Sequence, residues 1–316
     1  MQADLLTEQQ ELRRKTAWFA VYAVACALLF LNPLRDLFRL ALSTDIYSHI
    51  LVIPFISAAL LYMERKKIFQ LAAGKSRIAS FFFAAGFFFC LLVNVMLSAA
   101  SLPREASMAL TILSLLFLIW SGFSWFYGDR VFYAALFPLL LLVLMLPPPT
   151  ALLDRFIFLL QSGSAEVTHW IFQMTGTPVM RQGFIFALPG VTIEVAKECS
   201  GIRSTMALLV TCLTGGYLLL RTAWARTALL LIALPVMILK NGIRITTLTL
   251  LAIHVDSGFL FGRLHQQGGF VFFGLAFAIL LPALWWLQRM EDRNRAPLSA
   301  SLFARLSSLM ATRLGN

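Results

Sequence analysis

The residues with most chemistry to offer lie in one stretch, Glu194 to Thr205, which reads EVAKECSGIRST. Cys199 stands there between a charged patch and a long apolar run, Ile202 to Leu220, that reads as a membrane helix. The spacing predicts Cys199, Ser200 and Gly201 in the first turn of that helix, beside Glu198. Arg203 follows Cys199 by four, which would set thiol and guanidinium on one helix face. A nearby cation and a helix N-terminus both favour the thiolate, so the pattern is that of a nucleophilic cysteine. Such a nucleophile also needs an acid and base and a group to hold the oxyanion. Arg244, inside the next apolar run, offers the oxyanion contact. Asn241, three residues earlier, shares its helix face and would orient it. His254 and His265 compete for the acid–base role, and the chemistry of the sequence does not choose between them.

Each of these residues has a plainer reading. A cysteine at a helix start can serve only as a small residue. Arg244 can snorkel to headgroups, although charge inside a membrane is costly and usually functional. Lys240 and Arg203 can bind phospholipid headgroups. His49 and His169 read as capping or hydrogen-bonding residues at the interface. Cys26, Cys90 and Cys212 sit in apolar runs and read as inert packing. No CxxC pair and no paired Cys/His spacing suggests a metal, and no cofactor is expected.

The elements that must position these residues are membrane helices. Of 316 residues 59% are hydrophobic and only 13% are charged, against about 25% in soluble proteins. The apolar residues come in eight blocks. They cover roughly 16–34, 49–63, 78–100, 106–126, 131–146, 202–220, 227–253 and 267–287. The fold class expected is therefore an all-α polytopic membrane protein. The net charge of +11 fits basic cytoplasmic loops, not a nucleic-acid partner. Residues 64–77, with Arg65, Lys66, Lys67, Lys75 and Arg77, form the densest basic loop and fix the orientation. Both termini then lie inside, and Cys199, Arg244 and His265 converge on the outer face. The N-terminus has no cleavable signal pattern, so the first helix should remain as an anchor. The domains expected are a cytoplasmic N-terminus at 1–15, a transmembrane domain at 16–288 and a basic cytoplasmic tail at 289–316.

Between blocks, 35–48 reads as a short outer loop. Pro147, Pro148 and Pro149 stop the fifth block, and the chain stays outside until Cys199. There, 151–175 has helical periodicity broken by Asp154, Arg155, Gln161, Glu166 and His169, which suggests a helix on the membrane surface. VMRQGFIFA and VTIEVA read as a small β-hairpin joined at Leu188-Pro189-Gly190. In the tail, 299–314 reads as a separate amphipathic surface helix.

Four stretches resemble the exosortases, the bacterial branch of the exosortase/archaeosortase superfamily. They are YSHILVIPFISAALLY at Tyr47–Tyr62, MLPPPTALLDRF at Met145–Phe156, LPGVTIEVAKECSGIRS at Leu188–Ser204, and NGIRI at Asn241–Ile245 followed by Leu264-His265. Order and spacing agree over roughly residues 45 to 285. The resemblance implies a multi-pass inner-membrane cysteine protease/transpeptidase that recognises a C-terminal sorting signal on exported proteins. That signal is a Pro-Glu-Pro-type (PEP-CTERM) motif, a membrane helix and a basic tail. It places the family's Cys, Arg and His on Cys199, Arg244 and His265, and the partners become the exported substrate and an acceptor amine, lipid or water. Two departures stand out. Ile50 follows His49 where many relatives have glycine, and Gln266 and Gln267 follow His265 where an acidic residue is common. The rival readings are a transporter or channel with an anion site at Lys240 and Arg244, a lipid-modifying transferase in contact with membrane lipids, and a non-catalytic partner in polysaccharide export. The absence of an internal repeat speaks against the first.

Overall fold

The computed structural model describes residues 2–70, 76–98, 103–196, 201–260 and 269–314. Among them six helices are long and apolar enough to cross a membrane, and two bent helix pairs raise the number to eight. The chain is thus an all-α, multi-pass membrane protein with one small sheet. It divides into two compact units, Met1–Asp154 and Arg155–Asn316.

The first unit is built on α6 (Arg104–Tyr127), with α1 (Gln2–Leu29) and α5 (Ala79–Ser98) packed against it. Within lipid there is little hydrophobic drive between helices, so close packing and side-chain hydrogen bonds hold them. Tyr22 of α1 lies across Gly122, where a Cβ would meet its ring at 2.2 Å, and its hydroxyl donates to the Leu118 carbonyl at 2.9 Å. Gly86 of α5 likewise sits against Leu118. Around the end of α6, Phe19, Phe69, Phe82, Trp120, Phe123, Tyr127 and Phe132 form a cluster of mostly edge-on and tilted rings.

Prolines set the breaks in this unit. Pro33 has no N–H for the Leu29 carbonyl, and α1 bends by 76° into α2 (Leu31–Ser43). The loop expected at 35–48 is therefore mostly helix. Leu37 and Ala41, at helical spacing, are buried on its inner face. Pro54 similarly follows a 3₁₀ turn, Asp45–Leu51, that joins α3 (Ile53–Met63) to complete an 18-residue candidate span, Ile46–Met63. After α4 (Arg65–Phe69), the basic loop is pinned by Asp129, which accepts the Ser76 hydroxyl at 2.9 Å, the Ser124 hydroxyl at 2.8 Å and the Arg77 N–H at 2.8 Å. The fifth block is not one helix. Pro138 cannot bond the Ala134 carbonyl, so it splits into α7 (Asp129–Ala134), α8 (Leu136–Leu141) and a 3₁₀ turn, Leu142–Met145.

α9 (Thr150–Met174) begins after the triple proline, and from Arg155 onward it belongs to the second unit. It is followed by three antiparallel strands in the order β1 (Met180–Gln182), β2 (Ile185–Leu188) and β3 (Val191–Glu194). The expected hairpin is thus one strand short. Gly183, at φ +62°, turns the first predicted strand back on itself, and Pro189-Gly190, with φ +78° at the glycine, makes the second turn. Phe186 and Leu188 alternate inward onto Ala165 and Phe172 of α9. Outside this core Arg181 ties the sheet to α9 through Glu166 at 2.7 Å.

α10 (Ile202–Leu219), α11 (Ala223–His254) and α12 (Gly269–Leu314) complete the unit around Leu208, Cys212, Leu229, Ala233, Met237, Ala276 and Leu280. Helix α11 runs unbroken through Pro235. At the α10–α11 turn, the buried carboxylate of Glu291 on α12 accepts the Arg221 and Thr222 N–H groups and the Thr222 hydroxyl. These are N–H groups that the start of α11 cannot satisfy by itself. The tail expected to form a separate surface helix at 299–314 instead continues α12, which runs through Pro297.

Candidate active site

The head of α10 is where the cysteine stretch meets α11. Gly201 precedes the helix at φ +72°, a left-handed backbone that glycine adopts without strain. A Cβ there would lie 2.6 Å from Asn241 Oδ1, so the missing side chain also lets Asn241 touch the backbone. Asn241 is buried and donates from Nδ2 to Ser164 Oγ of α9 at 3.0 Å. Beside it Lys240, only 1% exposed, donates to the Ser204 hydroxyl, and Ser204 Oγ donates to the Gly201 carbonyl at 3.0 Å.

A second polar row runs along α9. Gln161, Ser164 and Thr168 fall at i, i+3 and i+7, so they share one face. Gln161 Nε2 donates to the Val195 carbonyl just past β3. Thr168 donates to the Gly242 carbonyl of α11 at 3.4 Å. Close helix contact makes this possible. A Cβ on Gly242 would meet Val167 at 2.5 Å, and one on Gly163 would meet Ile238 at 2.8 Å. Polar groups this deep in a membrane protein need protein partners, and the row supplies them across two helices and a strand end. Its outcome is that Val195 and Gly201 are both held. Val195 is fixed by Gln161 and by its N–H to the Phe184 carbonyl at 2.9 Å, and Gly201 is fixed against Asn241.

Cys199, Glu198 and Ser200, and His265 in the segment 261–268, lie outside the described residues. Arg244 is half-buried, one turn beyond Lys240 and on its face. Arg203 is exposed on α10. The expectation that Cys199 and Arg203 share a helix face falls on a residue outside the described ones; Gly201, expected in the first turn of α10, is left-handed and precedes the helix, which begins at Ile202. Asn241, expected to orient Arg244, meets Ser164 of α9 and the Gly201 backbone at the head of α10. His254 is exposed at the end of α11, and Asp256 beyond it accepts the Gly258 N–H at 2.8 Å. His49 lies in the first unit, in the 3₁₀ turn, with Nδ1 3.1 Å from the Ile46 carbonyl. Cys26 and Cys212 are buried and Cys90 is half-buried.

Gln161, Ser164, Thr168 and Ser204 are the site residues that sequence reasoning missed. Their signal was present. Polar residues three and four apart on an apolar helix mark a face turned to other protein, not only a helix lying at the surface.

A multi-pass membrane protein with a polar seam between its helices is the class that this fold and site define. The family model for transmembrane exosortases matches residues 41–282, most of the chain. The chain therefore belongs to the transmembrane exosortase family, a family of proteases and transpeptidases. No curated protein and no solved structure matches it.

Proposed function

We propose that this membrane exosortase cleaves C-terminal Pro-Glu-Pro-type sorting signals from exported proteins at the outer face of a bacterial inner membrane. The observation that carries the reading is the meeting of two distant stretches. Gly201 and Ser204 of the cysteine stretch touch Asn241 and Lys240, one turn from Arg244. That contact supports the reading, because it brings the end of the cysteine stretch to the helix that carries Arg244.

In the proposed reaction the Cys199 thiolate attacks the scissile carbonyl carbon, and the oxygen takes the negative charge beside Arg244. Collapse of the tetrahedral intermediate breaks the C–N bond. The leaving amine takes a proton from the His265 imidazolium, and the substrate remains as a thioester on Cys199. An acceptor amine, a lipid nucleophile or water then gives its proton to His265 as it attacks the thioester, which frees the thiolate. No metal or cofactor enters these steps. The membrane helix of the signal leaves with the C-terminal fragment. Glu198, Ser200 and Arg203 are supporting or substrate-binding residues in this reading, and His49 is a further candidate for the same role.

The test is processing of a reporter protein that carries the three-part tail, followed by its length on a gel. Cys199→Ala should abolish shortening while the protein still inserts, whereas Cys90→Ala and Cys212→Ala keep it. His265→Ala should stop turnover and His254→Ala should not. A reporter still shortened by the Cys199→Ala protein would overturn thiol catalysis.

A further inference from the structure

We propose that the open edge of β3 is the docking strand for the tail of the exported substrate, which adds to the sheet as a fourth, extended strand. The inference rests on the reading of this chain as a protein that acts on such tails. The register defines the edge. The Val195 N–H donates to the Phe184 carbonyl, so in the β2–β3 pairing Val191, Ile193 and Val195 are the residues bonded to β2. Thr192 and Glu194 alternate with them, and their N–H and C=O groups turn away from the sheet. Among the described residues no hydrogen bond reaches those four groups. Both residues are exposed, whereas Val191 and Ile193 are half-buried against the core that Phe186 shares with α9 and α11. Two donors and two acceptors at strand spacing match the backbone of an extended polypeptide, and main-chain pairing of this kind binds peptides at sheet edges.

The other edge does not offer this. Ile185 and Ala187 turn their bonding groups to β1, where they pair with Gln182 and Met180. Of the three residues of β1 only Arg181 turns outward, and its side chain folds back to the Gly183 carbonyl at 2.9 Å and to Glu166 at 2.7 Å. A very short strand with a charged side chain is a guarded edge. β3 is longer and lacks such a strap.

The place of β3 favours the substrate as its partner. Val195, the next residue, has its carbonyl held by Gln161, and Ser164 one turn along α9 holds Asn241, which touches Gly201. A strand added along β3 therefore reaches the polar seam, beside the helix that carries Arg244. The proposed tail also suits an edge. Prolines two apart in a Pro-Glu-Pro segment share one side of a strand. Both can turn their nitrogen to solvent, the side on which an edge strand accepts proline, while the glutamate between them pairs with β3. Like charges directly opposite each other destabilise a sheet, so that glutamate pairs with Thr192 and not with Glu194.

The experiment measures anisotropy of a fluorescein-labelled peptide of about eight residues, Pro-Glu-Pro flanked by alanines, bound to the full chain in detergent. N-methylation of the glutamate amide removes the pairing donor and should raise Kd by about fivefold to tenfold. N-methylation three residues from it, on the side of the prolines, should leave Kd unchanged. Thr192→Pro removes one outward N–H and none of the β2–β3 bonds. It should weaken binding by a similar factor, whereas Thr192→Val should bind as the parent does. The peptide series uses the unaltered protein, so it decides the matter should Thr192→Pro fail to fold. No binding, or equal effects of methylation at the two positions, would overturn the inference. So would a folded Thr192→Pro protein that binds the peptide normally and only changes from dimer to monomer, which would give the edge to a second copy of the chain. Binding is read without cleavage, so the two readings fail separately. Processing that needs Cys199 without this alternation would keep the proposed activity and remove the docking strand. Alternation with processing that survives Cys199→Ala would keep the docking strand and remove the thiol step.

Discussion

Arg244 concentrates the conflict between charge and membrane at a single residue. It sits half-buried in α11, and a guanidinium offers a planar fork of donors that an ammonium does not. Arg244→Lys keeps the charge and loses the fork. It should lower the processing rate by about 10²–10³ if the side chain holds an oxyanion, measured as initial rate with the reporter substrate. A near-normal rate would reduce Arg244 to a general positive field. The types of the proposed reacting residues were legible in the sequence, because a cysteine, an arginine and a histidine stand out against apolar runs. Their supports were not. Gly201 reads as one more small residue until Asn241 is placed 2.6 Å from its absent Cβ. Lys240 reads as a headgroup ligand until Ser204 is found at its end. Both facts depend on which faces of α10 and α11 meet, and helical periodicity within one segment does not carry that information.

Helix contacts test the architecture at the scale of elements. Gly242→Ala would force α9 away from α11 at Val167 and should destabilise the protein by about 1–3 kcal/mol, seen as a lower unfolding temperature in detergent. Gly215→Ala, with nothing within 4 Å of the added carbon, should be neutral or stabilising through helix propensity. The same scale contains a pH effect. Burial opposes ionisation of Asp129, but the Arg77 N–H, the Ser124 and Ser76 hydroxyls and the Ile78 N–H together outweigh it and hold its carboxyl below the ordinary value of 3.8. A depressed carboxylate stabilises the fold fully above its unfolded value and loses that contribution as pH falls through its folded value. Wild type should therefore unfold at a higher temperature than Asp129→Asn at pH 6 to 7, and the gap should close below about pH 3.8. The helix breaks were not read from the sequence, whose apolar blocks run through the prolines that set them. α1, the 3₁₀ turn before α3 and the α7–α8 junction each give way about three or four residues before a proline, at Pro33, Pro54 and Pro138. Pro235, inside the continuous α11, shows why proline alone does not locate them.

The whole molecule makes one prediction about orientation. Basic loops on one side of the membrane place residue 70 inside and residue 182 outside. Single cysteines at Gln70 and Gln182, in a chain without native cysteines, should label with an impermeant reagent only at 182 in intact cells. Labelling at 70 alone would invert the protein and remove the outer-face site. The number of apolar blocks in the sequence equals the upper count of spans, since each bent pair falls within or beside one block. What the blocks did not disclose is how late the structure closes. The turn between α10 and α11 satisfies its N–H groups on Glu291, seventy residues downstream of Arg221. During synthesis those two helices enter the membrane with their turn unfinished. Only after the last span has been made does its carboxylate arrive. A chain interrupted before residue 291 therefore keeps an open helix start at the α10–α11 turn, at the far end of α10 from Gly201.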